Sequence, residues 1–142
     1  MMGINVRTME DCDFANLIVK GFKTYETRKS RSLDPYIGKR VGIIRTQPNT
    51  QAELIGFVDI SEPLFADREQ FDLLRDEHLV PYGHSFECAI EGRVYLYPLT
   101  NPEQCEPQYV RSTGIVARSI VELVPMEKQQ CQNQNSTDTK RL

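Results

Sequence analysis

The stretch Gly21-Phe-Lys-Thr-Tyr-Glu-Thr-Arg28 decides how this chain of 142 residues is read. It follows a segment of helical periodicity (Phe14, Leu17, Ile18) that closes at Lys20, with Gly21 suited to the C′ position of a helix. Thr24–Arg28 then reads as an extended strand, and the two-residue period of a strand sets Glu26 and Arg28 on one face. Thr24 and Thr27 point elsewhere if that strand is regular. Lys23, at the mouth of the turn, can swing over either face. Two cations and a carboxylate thus meet between a helix end and a strand start, where loops commonly build sites. Lys23 is suited to donate to an anionic or carbonyl oxygen, and Glu26 to accept from an amino group.

The charge around this stretch is uneven. Lys20 to Arg45 holds eight basic and two acidic residues, whereas Glu53 to Glu91 holds two basic and ten acidic ones. The formal net charge of −3 excludes a uniformly basic coat protein but not a local basic patch. Such a patch attracts phosphates and is salt-sensitive. Arg28, Lys29, Arg31, Lys39, Arg40 and Arg45 are its candidate ligand or nucleic-acid contacts. Thr46, at the end of the following strand, is placed across the sheet from Glu26.

The rest of the chain alternates short strands with two helices. Gly3 to Arg7 is a first strand, and Thr8 is expected to cap the first helix with Asp11 completing a capping box. Val41–Ile44 and Glu53–Ile60 are rich in branched residues, and Arg93–Leu99 is a later strand. Asp67–His78 reads as a second helix with Asp67 as cap and Gln70 completing its box. Thr100 to Gly114 reads as a proline-containing loop, and Ile115–Val124 as a last strand. The pattern predicts an α+β domain over residues 1–125, built round a curved sheet or small barrel. Lys128–Leu142 holds four Gln, two Asn and one aliphatic residue, so residues 126–142 are expected to be a polar, flexible tail.

Several classes drop out. No apolar run approaches the ~20 residues that cross a bilayer, and Met1 to Arg7 has no long apolar stretch of the secretory kind. The four cysteines (Cys12, Cys88, Cys105, Cys131) are widely spaced, and His78 and His84 are the only histidines, so no metal site and no cofactor is expected. Free thiols in a cytoplasmic setting follow. Tyr95 and Tyr97 alternate with apolar neighbours and read as half-buried sheet positions before they read as a stacking wall.

The 21–28 stretch resembles the G-x-K-x-x-E-x-R motif of ASCH domains, small domains related to the PUA and EVE/YTH folds. Tyr36-Ile-Gly-Lys-Arg-Val-Gly-Ile-Ile44 resembles the glycine-basic lead into that family's next strand. Glu53-Leu-Ile-Gly-Phe-Val-Asp-Ile60 and the Tyr95–Gly114 region are similar to later strands of the family, so the resemblance spans roughly residues 3–124. It implies a small PUA-like β-barrel with flanking helices and a cleft lined by the motif's charged residues. It also implies a partner: RNA, a single-stranded nucleic acid or a nucleoside-type molecule. One branch of the family resembles an N4-acetylcytidine amidohydrolase. Its lysine matches Lys23, but its threonine falls on Glu26 here, which leaves that branch's threonine chemistry without its residue. Its downstream glutamate has no assigned counterpart among Glu69, Asp76 and Glu77. The first expectation is therefore a basic cleft that binds RNA or a nucleotide-like ligand. The alternative is a hydrolase, an amidohydrolase or a ribonuclease, with Lys23 and Glu26 catalytic. A protein partner docked by the tail or by the acidic 53–91 region is a third.

Overall fold

A computed structural model describes residues 1–121 and 123–125. Strand β1 (Met2–Arg7) runs parallel to β3 (Arg40–Thr46), with Ile4 opposite Ile43. The β4 strand (Glu53–Ile60) returns antiparallel to β3, and the long β6 strand (Arg93–Val110) is antiparallel to β4. With β2 (Tyr25–Arg28) at one edge and β7 (Ala117–Ser119) at the other, the sheet order is β2-β6-β4-β3-β1-β7. Both β5 (Leu64–Asp67) and β8 (Leu123–Pro125) add to β6. The sheet curls into a half-barrel, so that the β2 edge returns to β1: Arg28 Nη2 donates to the Asn5 carbonyl across the seam at 2.7 Å. The architecture is a small α+β fold built on a half-barrel sheet with a few short helices.

Helix α1 (Phe14–Val19) lies on the curled sheet and buries Phe14, Ile18 and Val19 against β3 and β4. Its approach is close. A Cβ on Gly56 of β4 would stand 2.5 Å from Val19 Cγ1 and 2.2 Å from the Glu103 carbonyl, so the position requires glycine. The main core gathers Ile4, Val6, Ile43, Val58, Ile60 and Leu96, and a smaller cluster holds Ile44, Leu54, Val110 and Ile120 on the opposite side. A register shift between Leu54 and Gly56 sends Leu54 to one cluster and Val58 to the other.

Four expectations change. Asp13, not Thr8, caps α1, its carboxylate accepting from Asn16 N at 3.3 Å. Glu10 and Asp11 take left-handed conformations in a turn closed by Met9 and Cys12, so the helix cannot begin earlier. The second helix is two: α2 (Arg68–Leu73), with the Asp67–Gln70 capping box, and α3 (Arg75–His78), broken at Leu74. The span 100–114 is largely strand, because Pro102 and Pro107 each fall within a bulge of β6 where no ladder bond is lost. The expected last strand is divided into β7 and β8, and β5 was not foreseen at all.

Residues 126–142, the expected tail, and Cys131 lie outside the described residues. Among the described residues, no helix is long and apolar enough to cross a membrane.

Candidate functional site

Edge strand β2 faces the seam, and its motif residues meet there. Arg28 is a clasp: Nε donates to Glu26 Oε2 at 3.0 Å while Nη2 holds the Asn5 carbonyl. Glu26 is buried, and its other oxygen lies 3.9 Å from Lys23 Nζ. Lys23 is only 2% exposed, so its ammonium must find partners inside. It donates to the His78 carbonyl at the end of α3 and sits 4.8 Å from the centre of the Phe14 ring. Burial pushes Lys23 down to about 8; the Glu26 carboxylate opposes the shift and the Arg28 charge adds to it.

The two histidines serve the walls. His78 stacks on Phe71 at 3.8 Å, bonds the Phe71 carbonyl through Nε2 and accepts the Val80 N–H at Nδ1. Burial holds it down to about 4, with the Lys23 and Arg75 charges adding to that, so the ring is neutral near pH 7. His84 joins Met9 O and Phe86 N in the same manner, fixing the loop that carries Phe86.

In front of Glu26 lies a cavity of about 420 Å³. Its cations come from three separated segments: Arg7 on β1, Arg28 and Lys29 at the end of β2, and Arg118 on β7. Asn5 organises one wall. Its amide donates to the Gly114 and Ile115 carbonyls at 2.9 and 3.0 Å, while its oxygen accepts from Arg118 Nε at 3.0 Å. Phe86 and the exposed Ile115 add apolar surface, and among the described residues Glu26 is the single carboxylate on the lining.

Of the residues singled out in the sequence, Glu26, Arg28 and Lys29 line this cavity, with Lys23 buried behind Glu26. Thr46 borders the same cavity as Glu26. Thr27 borders it too, although a regular strand sends it elsewhere, and its buried hydroxyl finds no hydrogen-bond partner among the described residues. The other basic residues are engaged elsewhere. Arg31 pairs with Asp34 and Glu62. Arg40 is held by Asp59 at 3.0 Å and Glu103 at 2.7 Å, and with Lys39 it borders a different hollow beside Tyr36. Arg45 pairs with Asp13 at 3.4 Å. Glu69 and Asp76 are exposed on α2 and α3 and do not border the cavity. Asn5, Arg7, Phe86, Ile115 and Arg118 were missed. The readable signal was in β1, where Asn5 and Arg7 alternate with buried Ile4 and Val6. Among the described residues, no three His, Cys, Asp or Glu side chains converge to hold a metal ion.

No protein-family model and no curated protein matches the chain. Solved structures do. The crystal structure of ASCH from Zymomonas mobilis superposes with a TM-score of 0.60 at 19% identity, covering 99% of this chain and 96% of that one. Two mutant structures of the same protein give TM-scores of 0.59 and 0.56, at 18% and 23% identity. The first covers 94% of this chain and 95% of that one; the second covers 75% and 73%. The chain has the fold of an ASCH domain. In this ASCH fold the G-x-K-x-x-E-x-R stretch spans the last turn after α1 and strand β2, at the seam of the half-barrel.

The depressed Lys23 value has a thermodynamic consequence. The unfolded chain holds the Lys23 proton up to about 10.5, the folded one only to about 8. Between those values the unfolded state binds more protons, so stability contributed at Lys23 rises with pH. Denaturant unfolding of the parent and of Lys23→Met across this range checks it. The parent is expected to gain on the variant between about pH 8 and 10.5; a pH-independent difference contradicts the burial argument.

Proposed function

We propose that this ASCH-fold chain binds single-stranded RNA or a nucleotide-like ligand in the cavity at the β1–β2 seam. The observation that carries the reading is the convergence of Arg7, Arg28, Lys29 and Arg118 on one cavity where, among the described residues, there is a single carboxylate. A ligand with a phosphate and an aromatic base matches it: the cations take the phosphate, while Phe86 and Ile115 face the base. The volume, about 420 Å³, is that of a small-molecule pocket, so it suits one nucleotide of a single strand and not a duplex. Arg28 is already neutralised by Glu26, which leaves Arg7, Lys29 and Arg118 as phosphate contacts and Arg28 as the strut that orients Glu26. The free thiols of Cys12, Cys88 and Cys105 favour a cytoplasmic setting.

A second reading makes the same centre catalytic, as a hydrolase of N4-acetylcytidine-like nucleosides or of RNA. One observation favours it: a buried lysine held to about 8 beside a carboxylate suits proton transfer near neutral pH. In this reading Glu26 faces the substrate, and Lys23 sets the charge behind it.

Fluorescence anisotropy with a labelled adenylate octamer tests the first reading. Three cations can neutralise at most three phosphates of the octamer, the one in the cavity and its neighbours, so at about 0.7 each the slope of log affinity against log salt is no steeper than about −2. Arg7→Ala, Lys29→Ala and Arg118→Ala each lower both affinity and slope, whereas Lys39→Glu with Arg40→Glu leaves the cavity contacts intact. Absence of binding at low salt contradicts the reading. Incubation with N4-acetylcytidine and with a mixed RNA pool tests the second. The expected turnover inflects near pH 8 and is lost in both Lys23→Ala and Glu26→Ala, and turnover surviving both substitutions removes these residues from the chemistry.

A further inference from the structure

Beside the cavity two aromatic rings stack on the outer part of the sheet. Phe65 of β5 is 49% exposed, and its ring centre lies 4.6 Å from that of Tyr95 on β6, the planes inclined by 28°. An arginine flanks each ring. The Arg93 guanidinium is 5.3 Å from the Phe65 centre, and the Arg31 guanidinium 5.5 Å from that of Tyr95. Pairs of this kind are held by the charge over the ring face.

The sheet register ties this pair to the cavity. Arg28, which lines the cavity, is opposite Tyr95, and Tyr95 is opposite Phe65. Opposed residues project from the same face, and neighbouring strands lie about 4.8 Å apart, so Phe65 stands roughly 10 Å from Arg28 along the backbone layer. On the loop after β2, Lys29 borders the cavity and Arg31 overlies Tyr95. The two are separated by about 7 Å of chain at most. One short loop therefore carries a cation at the cavity, Lys29, and a second at the aromatic pair, Arg31.

A cross-strand aromatic pair stabilises any sheet. In this pair Tyr95 also packs against the core, while Phe65 stays half exposed beside the Arg93 guanidinium. We infer that Phe65 and Tyr95 form a stacking ledge for the bases of a single strand whose adjoining phosphate occupies the cavity, an inference that rests on the nucleotide-binding reading above. The ledge gives length dependence without base identity, because every base presents a π-face. Arg31 is offset by Asp34 and Glu62, and Arg93 lies opposite Asp67 in the register. Stacking, not charge, therefore dominates the contribution of the ledge.

The experiment compares a labelled adenylate octamer with a labelled adenylate dimer on the intact chain. Phe65→Ala and Phe65→Leu are expected to weaken the octamer roughly fivefold or more, the effect of losing one base–aromatic stack. Both variants leave dimer affinity and the octamer salt slope unchanged, and Phe65→Trp retains octamer binding. Phe65→Leu keeps apolar bulk at the site, so a fold defect would appear as a loss of dimer binding as well, and that result overturns the ledge. Octamer affinity unaffected by Phe65→Ala, while Arg118→Ala weakens both oligomers, overturns the ledge and leaves the cavity reading standing. Failure of either oligomer to bind the parent protein overturns both.

Discussion

The arginine clasp at the seam organises everything else in this molecule. A six-strand path that curls without closing leaves two edges to manage, and here one guanidinium spans the gap between them. Arg28 satisfies Glu26 on its own strand and the Asn5 carbonyl on β1, the strand next to the far edge. Removing one partner from a fully buried pair costs about 3–5 kcal/mol in general; the Arg28 side chain keeps 18% of its surface, which makes that an upper bound here. The clasp also explains why the cavity is where it is. Both edges carry polar side chains at the seam, and the loop before β7 is tied down by the amide of Asn5.

Behind the clasp the protein accepts an expensive group. A lysine that is 2% exposed has lost its hydration, and it is compensated by the His78 carbonyl, the Phe14 ring and a carboxylate at 3.9 Å. The neutral His78 that supplies the carbonyl is itself fixed by Phe71 and Val80. The short helices α2 and α3 therefore matter for the site although none of their side chains lines it: the end of α3 holds the lysine in place. Charge placed where solvent is excluded acts through a low dielectric, so a ligand in front of Glu26 meets a field that bulk water would otherwise screen.

Legibility in the sequence followed the distance between the residues that matter. Lys23, Glu26 and Arg28 lie within six positions of one another, and helix-end and strand periodicities alone bring them together. Arg7 and Arg118 reach the same cavity from opposite ends of the chain, and only the β1–β7 pairing makes them neighbours. The basic count over 20–45 treated every cation as available. Arg40 is not, because the bulged course of β6 delivers Glu103 to it, and the prolines of that strand give it the sequence pattern of a loop. Arg45 is likewise taken by Asp13, the residue that became the helix cap when the left-handed turn at Glu10 and Asp11 displaced the start of α1. The ASCH resemblance and the α+β half-barrel agree with the solved ASCH structures, while the partition of the cations required coordinates.

The most direct test of the account is a map of the binding surface. Backbone amide shifts recorded on the isotopically labelled protein during titration with an adenylate dimer report which residues meet the ligand. Perturbations grouped at Asn5–Arg7, Glu26–Lys29, Thr46, Phe86 and Gly114–Arg118 are the predicted result, since these segments border the seam cavity. Perturbations centred on Tyr36–Val41 and Asp59, around the Lys39 and Arg40 hollow, with the seam silent, would contradict it.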